Sequence, residues 1–227
     1  DLVMLALQGP HFEKVIKNFL QADVIKSLLE KRNFQGIIMD DTLISKTGYT
    51  GERGIEIMMP EERGEEVWAL LINCGVKPIG LAARDTLRLE AGLNLYGFEM
   101  DKNTSPLECN MGWTVSLKDP KRNFIGKRSF IEKKRKGEFP TLHGLMLDDK
   151  VIIRSNHAVY LDADRKTHGV VTSGSYSPSL KRGIALARIP PTNSRNCFVE
   201  VRGKEVIAKL GKPRFIQKGK NVFKEKI

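Results

Sequence analysis

Apolar and polar positions alternate over Ile55, Glu56 and Ile57, which places Ile55 and Ile57 on one side of an extended chain and Glu56 on the other. Three glycines within the seven preceding residues predict a tight turn, because glycine accepts positive φ and lets backbone approach a ligand closely. The pattern therefore places a carboxylate on a strand directly behind a turn that carries one aromatic residue, Tyr49. A solvated edge strand would show the same pattern.

Helical periodicity dominates three other segments of the first half. Apolar residues at helical spacing predict a helix over Pro10–Leu29 and an amphipathic helix that starts at Pro60 and ends near Gly75. The third segment, Gly80–Gly92, consists of good helix formers and ends on a glycine suited to a C-cap.

Two arginines, Arg84 and Arg88, lie four residues apart in the third segment and share a helix face. Asp85 can pair with Arg88 at i, i+3, whereas Arg84 has no obvious partner in the local sequence. This suggests that an anion from elsewhere meets Arg84. A solvated surface arginine is the alternative.

Short apolar runs separated by Gly, Pro, Asn and Asp fill the last third of the chain and predict an all-β barrel or sandwich. The runs are Leu142–Leu147, Ala158–Leu161, Gly169–Thr172, Gly183–Ala187 and Phe198–Val201. Before them, Lys118–Gly137 predicts a basic helix that leads into a linker, so we expect domains at residues 1–138 and 139–227. A strand through Trp113-Thr114-Val115 and a loosely held basic tail, Lys212–Lys224, complete the prediction.

Composition narrows the possible partners. The 227 residues are 41% hydrophobic and 29% charged, with no apolar run near the roughly 18 residues of a membrane span, so we expect no membrane partner. Three cysteines without CxxC spacing and four scattered histidines argue against a metal site and favour a reducing compartment. The net charge of +11 permits nucleic-acid binding, but no recognised nucleic-acid motif appears, so we expect no nucleic-acid partner.

Four motifs, in order, carry a resemblance to a known family. They are Thr47–Ile57, Gly80–Gly97, Thr104–Glu108 and Gly169–Gly174. The chain resembles the aminomethyltransferase (T-protein) family of the glycine cleavage system from Leu5 to Phe215. The resemblance implies an α+β fold, in which a folate-binding antiparallel sheet with helices is followed by a small all-β C-terminal barrel.

The resemblance also implies an activity. An aminomethyl group on the lipoyl arm of the H-protein yields its one-carbon unit to the co-substrate tetrahydrofolate, ammonia is released, and no metal is called for. Glu56 matches the family position whose carboxylate accepts the N–H and NH₂ groups of the pterin edge. Tyr49 matches an aromatic contact to folate, and Arg84 matches the arginine of the folate site. The implied location is the cytoplasm for a bacterial source and the mitochondrial matrix for a eukaryotic one.

Some positions depart from the family pattern. The family's catalytic aspartate lies far upstream of the glycine turn, so we expect it outside this chain and expect the chain alone to be inactive. Asp40 and Asp41 follow a similar glycine and apolar run, but they lie only seven or eight residues before Gly48 and are interpreted as look-alikes in a turn. Arg53 replaces a frequent acid, and Gln217 replaces a frequent arginine.

Other functions of the same fold remain open at this point. They include a folate-dependent demethylase, the folate domain of a glycine-derivative dehydrogenase, and a non-catalytic folate-binding relative such as the iron–sulfur assembly factor. The last usually carries a cysteine in the turn, and Thr47–Glu52 has none. The basic cluster Lys133–Lys136 either serves solubility or steers an acidic protein carrier.

Overall fold

The computed structural model describes residues 1–148 and 151–226. They form two compact units, Asp1–Leu87 and a second unit that starts at Arg88. No helix within these residues is long and apolar enough to cross a membrane. The first barrel strand starts at Thr141, just after the boundary expected from the sequence, but the division into residues 1–138 and 139–227 stays a prediction.

The first unit is built on a four-stranded antiparallel sheet in the order β1-β4-β3-β2. Its strands are β1 (Leu2–Gln8), β2 (Gly36–Met39), β3 (Thr42–Ser45) and β4 (Gly54–Pro60). The helices that begin in this unit are α1 (Phe12–Ile16), α2 (Ala22–Glu30), α3 (Glu61–Asn73) and α4 (Leu81–Ala91). The strand after the glycine turn and the helices after Pro60 and Gly80 are therefore confirmed.

The two faces of this sheet differ. Leu5 and Ile44 both pair with Ile57 of β4, so apolar side chains gather on one face, where they pack with residues of α1, α2 and α3. The opposite face carries Glu56 together with Met4, which is 58% exposed, and Met58, which is 38% exposed. A carboxylate thus lies on a sheet face that is otherwise largely apolar and open.

The prediction of a single helix over Pro10–Leu29 is wrong, because the segment forms two helices, α1 and α2. The side-chain amide of Asn18 donates a hydrogen bond to the carbonyl of Val15 at 3.0 Å, and Leu20 N–H donates to Ile16 at 2.9 Å. These contacts close the end of α1 and compete with helix continuation. Both halves still bury apolar residues against the sheet, which explains the continuous periodicity in the sequence.

Asp40 and Asp41 form the two-residue turn between β2 and β3, as expected from the sequence. Asp40 has a φ of 49°, in the left-handed region that aspartate tolerates better than most residues. Asp41 pairs with Arg63 of α3 at 2.9 Å. The two acids thus have a structural explanation within the hairpin.

The second unit contains a closed six-stranded barrel in the order β10-β5-β8-β7-β6-β9, and the predicted fold class is confirmed. The strands are β5 (Thr141–Leu147), β6 (Ala158–Tyr160), β7 (His168–Ser177), β8 (Arg182–Ile189), β9 (Asn196–Val201) and β10 (Lys204–Gly211). The five apolar runs of the sequence correspond to β5 to β9. Sequence analysis did not identify β10, although its buried positions alternate at Val206, Ala208 and Leu210.

Two local predictions for the second unit, before the barrel, need correction. The segment Gly112–Thr114 is a 3₁₀ helix and not a strand, because the N–H and the hydroxyl of Thr114 both donate to Met111 O, at 3.0 and 2.7 Å. The basic helix α5 spans only Lys127–Lys136, between two glycines with positive φ, Gly126 and Gly137.

The tail is anchored and not loosely held. Phe215 is fully buried, and its ring stacks on Phe223 with centroids 5.3 Å apart. Its N–H donates to Glu90 O at 3.0 Å, and its carbonyl accepts from Val222 N–H at 2.8 Å. Two short strands, β11 (Ile216–Gln217) and β12 (Lys220–Asn221), complete this segment. Burial of this one aromatic ring therefore holds the tail in place, although most residues of the tail are polar.

Replacing Phe215 by alanine is expected to lower the free energy of unfolding by about 3–5 kcal/mol, since it opens a cavity in the core of the second unit. Urea denaturation measures the change. Gln217→Ala, at an exposed position two residues away, is the control and should stay within about 0.5 kcal/mol of the parent protein. Equal free energies of unfolding for the two variants would contradict the anchored tail and support the loosely held segment that its composition predicts.

Candidate functional site

The loop between β3 and β4 carries most of the candidate site. It runs from Thr47 to Arg53, and Gly51 has a φ of 75°, which a side chain would strain. The loop is tied to the end of β1, because Gly9 N–H donates to Arg53 O at 2.8 Å. The glycine turn expected from the sequence is therefore an ordered part of the first unit.

Glu56 lies directly behind this loop in β4, half-buried, with Ala6 and Ser45 as its cross-strand neighbours. Its carboxylate accepts a hydrogen bond from the Thr47 hydroxyl, which in turn lies 2.7 Å from the hydroxyl of Ser45. A carboxylate offers about four acceptor positions, so further donors can bind to it. The side chain is held in place but retains capacity for a ligand.

Arg84 meets an aromatic partner that its local sequence does not reveal. The guanidinium carbon of Arg84 lies 4.8 Å from the centroid of the Tyr49 ring, which is a cation–π arrangement. Arg84 is exposed on α4, and Tyr49 is half-buried in the loop. The structure thus brings two of the three expected folate residues into direct contact.

Gln8 is the residue of this site that sequence analysis did not select. Its side-chain amide donates to the carbonyls of Thr47, at 3.1 Å, and Ile55, at 3.2 Å, and its oxygen accepts from the hydroxyl of Thr50 at 3.3 Å. The only sequence signal is an amide at the end of an apolar strand, next to Gly9 and Pro10. Its partners lie about 40 residues away, so no local pattern could identify them.

A cavity of about 280 Å³ adjoins these residues within the first unit. Gln8, Thr50 and Arg84 supply polar atoms to its wall, and Ala6 and Ile79 supply apolar surface. Ligand pockets usually start at about 300 Å³, so this cavity suits part of a flat ligand of moderate size. Ala6 lies opposite Glu56 in the sheet, which places the cavity wall beside the carboxylate.

A larger cavity of about 660 Å³ lies in the second unit and includes Gln217. Lys212, Arg214 and Lys224 also line it. Gln217, where the family resemblance led us to expect an arginine, therefore shares this cavity with three basic residues.

Arg88, in contrast with Arg84, is a structural residue. It is 2% exposed and pairs at 2.9 Å with Glu99, which is fully buried. Glu99 also accepts from Thr172 Oγ1 at 2.7 Å, and Arg88 donates to Ser173 Oγ at 2.8 Å. The motif that contains Thr172 and Ser173 thus serves the interior of the second unit.

The two buried cysteines give no sign of reactive chemistry. Burial raises the pKa of the Cys197 thiol to about 12, and burial is also the main cause that raises the pKa of Cys109. Within residues 1–148 and 151–226, no group of three or more His, Cys, Asp or Glu side chains is placed to hold a metal ion. The polar groups gathered near the glycine loop remain the candidate site.

A glycine-loop carboxylate on an antiparallel α+β unit, together with a closed six-stranded barrel, defines a protein of the aminomethyltransferase fold. The family described as GCVT N-terminal domain matches residues 1–119, and the glycine cleavage T-protein C-terminal barrel domain matches residues 141–217. The chain belongs to the glycine cleavage T-protein family.

A solved structure agrees with this assignment. The chain is similar to the crystal structure of the glycine cleavage system aminomethyltransferase T from Bartonella henselae, with 33% sequence identity and a TM-score of 0.85. The similarity covers 98% of this chain and 61% of the Bartonella chain. This chain therefore spans about three fifths of the length of that protein.

Arg84 and Arg88 form a natural pair for comparison, because they lie on one helix and differ in environment. Arg88→Met should lower the free energy of unfolding by about 3–5 kcal/mol, since it leaves the Glu99 carboxylate buried without its ion pair. Arg84→Met removes an exposed cation–π contact and should cost about 1 kcal/mol or less. Thermal and urea unfolding measure both losses of stability, and equal losses would contradict the distinction between a buried structural arginine and an exposed one.

Proposed function

We propose that this chain provides the tetrahydrofolate-binding part of a glycine cleavage aminomethyltransferase. The intact enzyme would move a one-carbon unit from the aminomethyl-dihydrolipoyl H-protein to tetrahydrofolate, with release of ammonia. The observation that carries the proposal is the arrangement in the first unit, where the loop that holds Glu56 also carries Tyr49 against Arg84. Family membership and the similarity to the Bartonella enzyme support the same activity.

Glu56 suits the recognition of a pterin. The pterin edge presents a ring N–H beside an exocyclic NH₂ group, and a carboxylate accepts both in a fork, much as it accepts arginine. Glu56 lies on the open sheet face beside Met4 and Met58, so a flat ring could cover apolar surface while its edge reaches the carboxylate. Thr47 restricts rotation of the carboxylate before the ligand arrives.

Tyr49 and Arg84 suit the remainder of the folate. An aromatic ring packs against the flat parts of the molecule, and a guanidinium pairs with its carboxylates or carbonyls. Stacking on Tyr49 limits the positions of the Arg84 side chain, which reduces the entropy lost on binding. The role proposed for these residues is binding and orientation of the co-substrate.

Proton transfer in the reaction is not assigned to this chain's acids. Asp41 is paired with Arg63, and Asp40 belongs to a hairpin turn of the first unit. We therefore propose no catalytic role for Asp40 or Asp41.

Replacing Glu56 by alanine is expected to weaken tetrahydrofolate binding about 10- to 150-fold, which corresponds to about 1.5–3 kcal/mol for a charge-assisted fork. Isothermal titration calorimetry on this chain measures the affinity. Glu65→Ala, on the exposed side of α3, removes the same charge and should leave binding unchanged. Unchanged affinity in a folded Glu56→Ala protein would rule out the assigned role of this carboxylate.

The H-protein is the second proposed partner, and helix α5 is the surface proposed to attract it. Lys133 is engaged by Glu108 at 2.9 Å, and Arg128 by Glu132 at 2.9 Å. The exposed residues Lys134, Arg135 and Lys136 therefore form the part of the basic cluster that faces solvent. Such a cluster mainly raises the rate of encounter with an acidic partner.

Reversing Lys134, Arg135 and Lys136 to Glu should lower the association rate constant for H-protein at least tenfold at low salt and flatten its salt dependence. Surface plasmon resonance measures the rate constant. The control reverses Lys14, Lys17 and Lys26, three exposed lysines of the first unit, which changes the net charge equally. Equal association rate constants for the two triple variants would show that the basic cluster does not attract the H-protein and would leave solubility as its role.

A further inference from the structure

The side chain of Gln8 joins both ends and the middle of the glycine loop. Its N–H groups donate to Thr47 O at 3.1 Å, where the loop begins, and to Ile55 O at 3.2 Å, just after the loop ends. Its oxygen accepts from the Thr50 hydroxyl, in the middle of the loop, at 3.3 Å. One half-buried amide thus uses both donors and its acceptor on the loop and the start of β4.

The loop backbone is shaped around this amide. A Cβ atom at Gly48 would lie 2.0 Å from Gln8 Oε1, and a Cβ at Gly54 would lie 2.3 Å from the backbone oxygen of Leu7 and 2.7 Å from Gln8 Cδ. These distances are too short for real atoms, so Gly48 must lack a side chain while Gln8 occupies its place, whereas at Gly54 the backbone of Leu7 already excludes one. Gly48 is therefore explained by Gln8, in contrast with Gly51, which is explained by its positive φ.

The contacts continue from Gln8 to the candidate ligand groups. Thr47 accepts from Gln8 through its carbonyl and donates to the Glu56 carboxylate through its hydroxyl. Tyr49 lies between Thr47 and Thr50, both of which contact Gln8, and it supports Arg84. Displacing the amide would release the residues on each side of Tyr49 and the donor that holds Glu56.

We infer that Gln8 is a positioning residue, which orients Glu56 and Tyr49 for a folate ligand without contacting the pterin edge itself. This inference rests on the proposed folate site. An amide is required at this position because the two carbonyls need N–H donors and the Thr50 hydroxyl needs an acceptor. Glutamate would place an oxygen against both carbonyls, and leucine would remove all three of these hydrogen bonds.

The test compares Gln8→Leu and Gln8→Glu with the control Gln35→Leu. Gln35 is exposed, and its side-chain oxygen accepts from Arg32 N–H, outside the loop. Three measurements apply to each variant of this chain: amide hydrogen exchange over residues 47–54, the ¹³C shift of the Glu56 carboxyl carbon, and tetrahydrofolate affinity by calorimetry. The first two need no ligand.

Both Gln8 variants should speed exchange in the loop at least tenfold, shift the Glu56 carboxyl signal, and weaken tetrahydrofolate about tenfold, whereas Gln35→Leu should change none of these. In a Glu56→Ala background, Gln8→Leu should weaken binding less than about threefold further, because it acts largely through Glu56. A purely structural role would lower the melting temperature, yet its effect on affinity would simply add to that of Glu56→Ala.

Unchanged loop exchange together with an unchanged Glu56 signal would overturn the inference, and so would full additivity of the two substitutions. A parent chain that binds no tetrahydrofolate would contradict the proposed folate site itself. In that case a faster-exchanging loop and a shifted Glu56 signal would still show that Gln8 orients these residues. A failure of the inference about Gln8 is therefore distinguishable from a failure of the proposed folate site.

Discussion

The buried ion pair between Arg88 and Glu99 is the interaction on which the interior of the second unit depends. Taking two charges out of water costs several kcal/mol for each ion, and the attraction between them repays this only when the remaining polar atoms are also satisfied. Here Leu95 N–H and Thr172 Oγ1 donate to the Glu99 carboxylate, and Ser173 accepts from Arg88. Helix α4, the following loop and strand β7 must therefore keep their arrangement together.

The first unit relies on an uncharged counterpart, the amide of Gln8. Its three hydrogen bonds cost less desolvation than an ion pair, and they leave the Glu56 carboxylate and the Arg84 guanidinium available for a ligand. Arg84 and Arg88 illustrate the difference, since one turn of α4 separates an arginine that a ligand can reach from one that is fully enclosed. In the proposed function, binding energy comes from Glu56 and Arg84, and the rigidity of the loop comes from the hydrogen bonds of Gln8.

The face of the sheet that carries Glu56 has a chemical character suited to a flat heterocycle. Met4 and Met58, which pair across the two strands next to the Glu56–Ala6 pair, expose apolar surface beside the carboxylate, and the cavity beside Ala6 supplies further apolar wall. Apolar surroundings strengthen a hydrogen bond to a charged group, because less water competes for it. A few polar atoms on an apolar surface is the usual composition of a small-molecule site.

The sequence by itself determined the features that depend on local patterns. Alternation and glycines predicted the loop and strand around Tyr49 and Glu56, and separated apolar runs predicted five of the six barrel strands. Tertiary structure decided the rest, because the deciding contacts join residues far apart in sequence. Gln8 meets partners 39 to 47 positions away, and Thr172 meets Glu99 across 73 positions. The basic composition of the tail predicted a loosely held segment. Burial of Phe215 instead holds the tail in place, because packing of this ring stabilises the segment although its lysines stay in water.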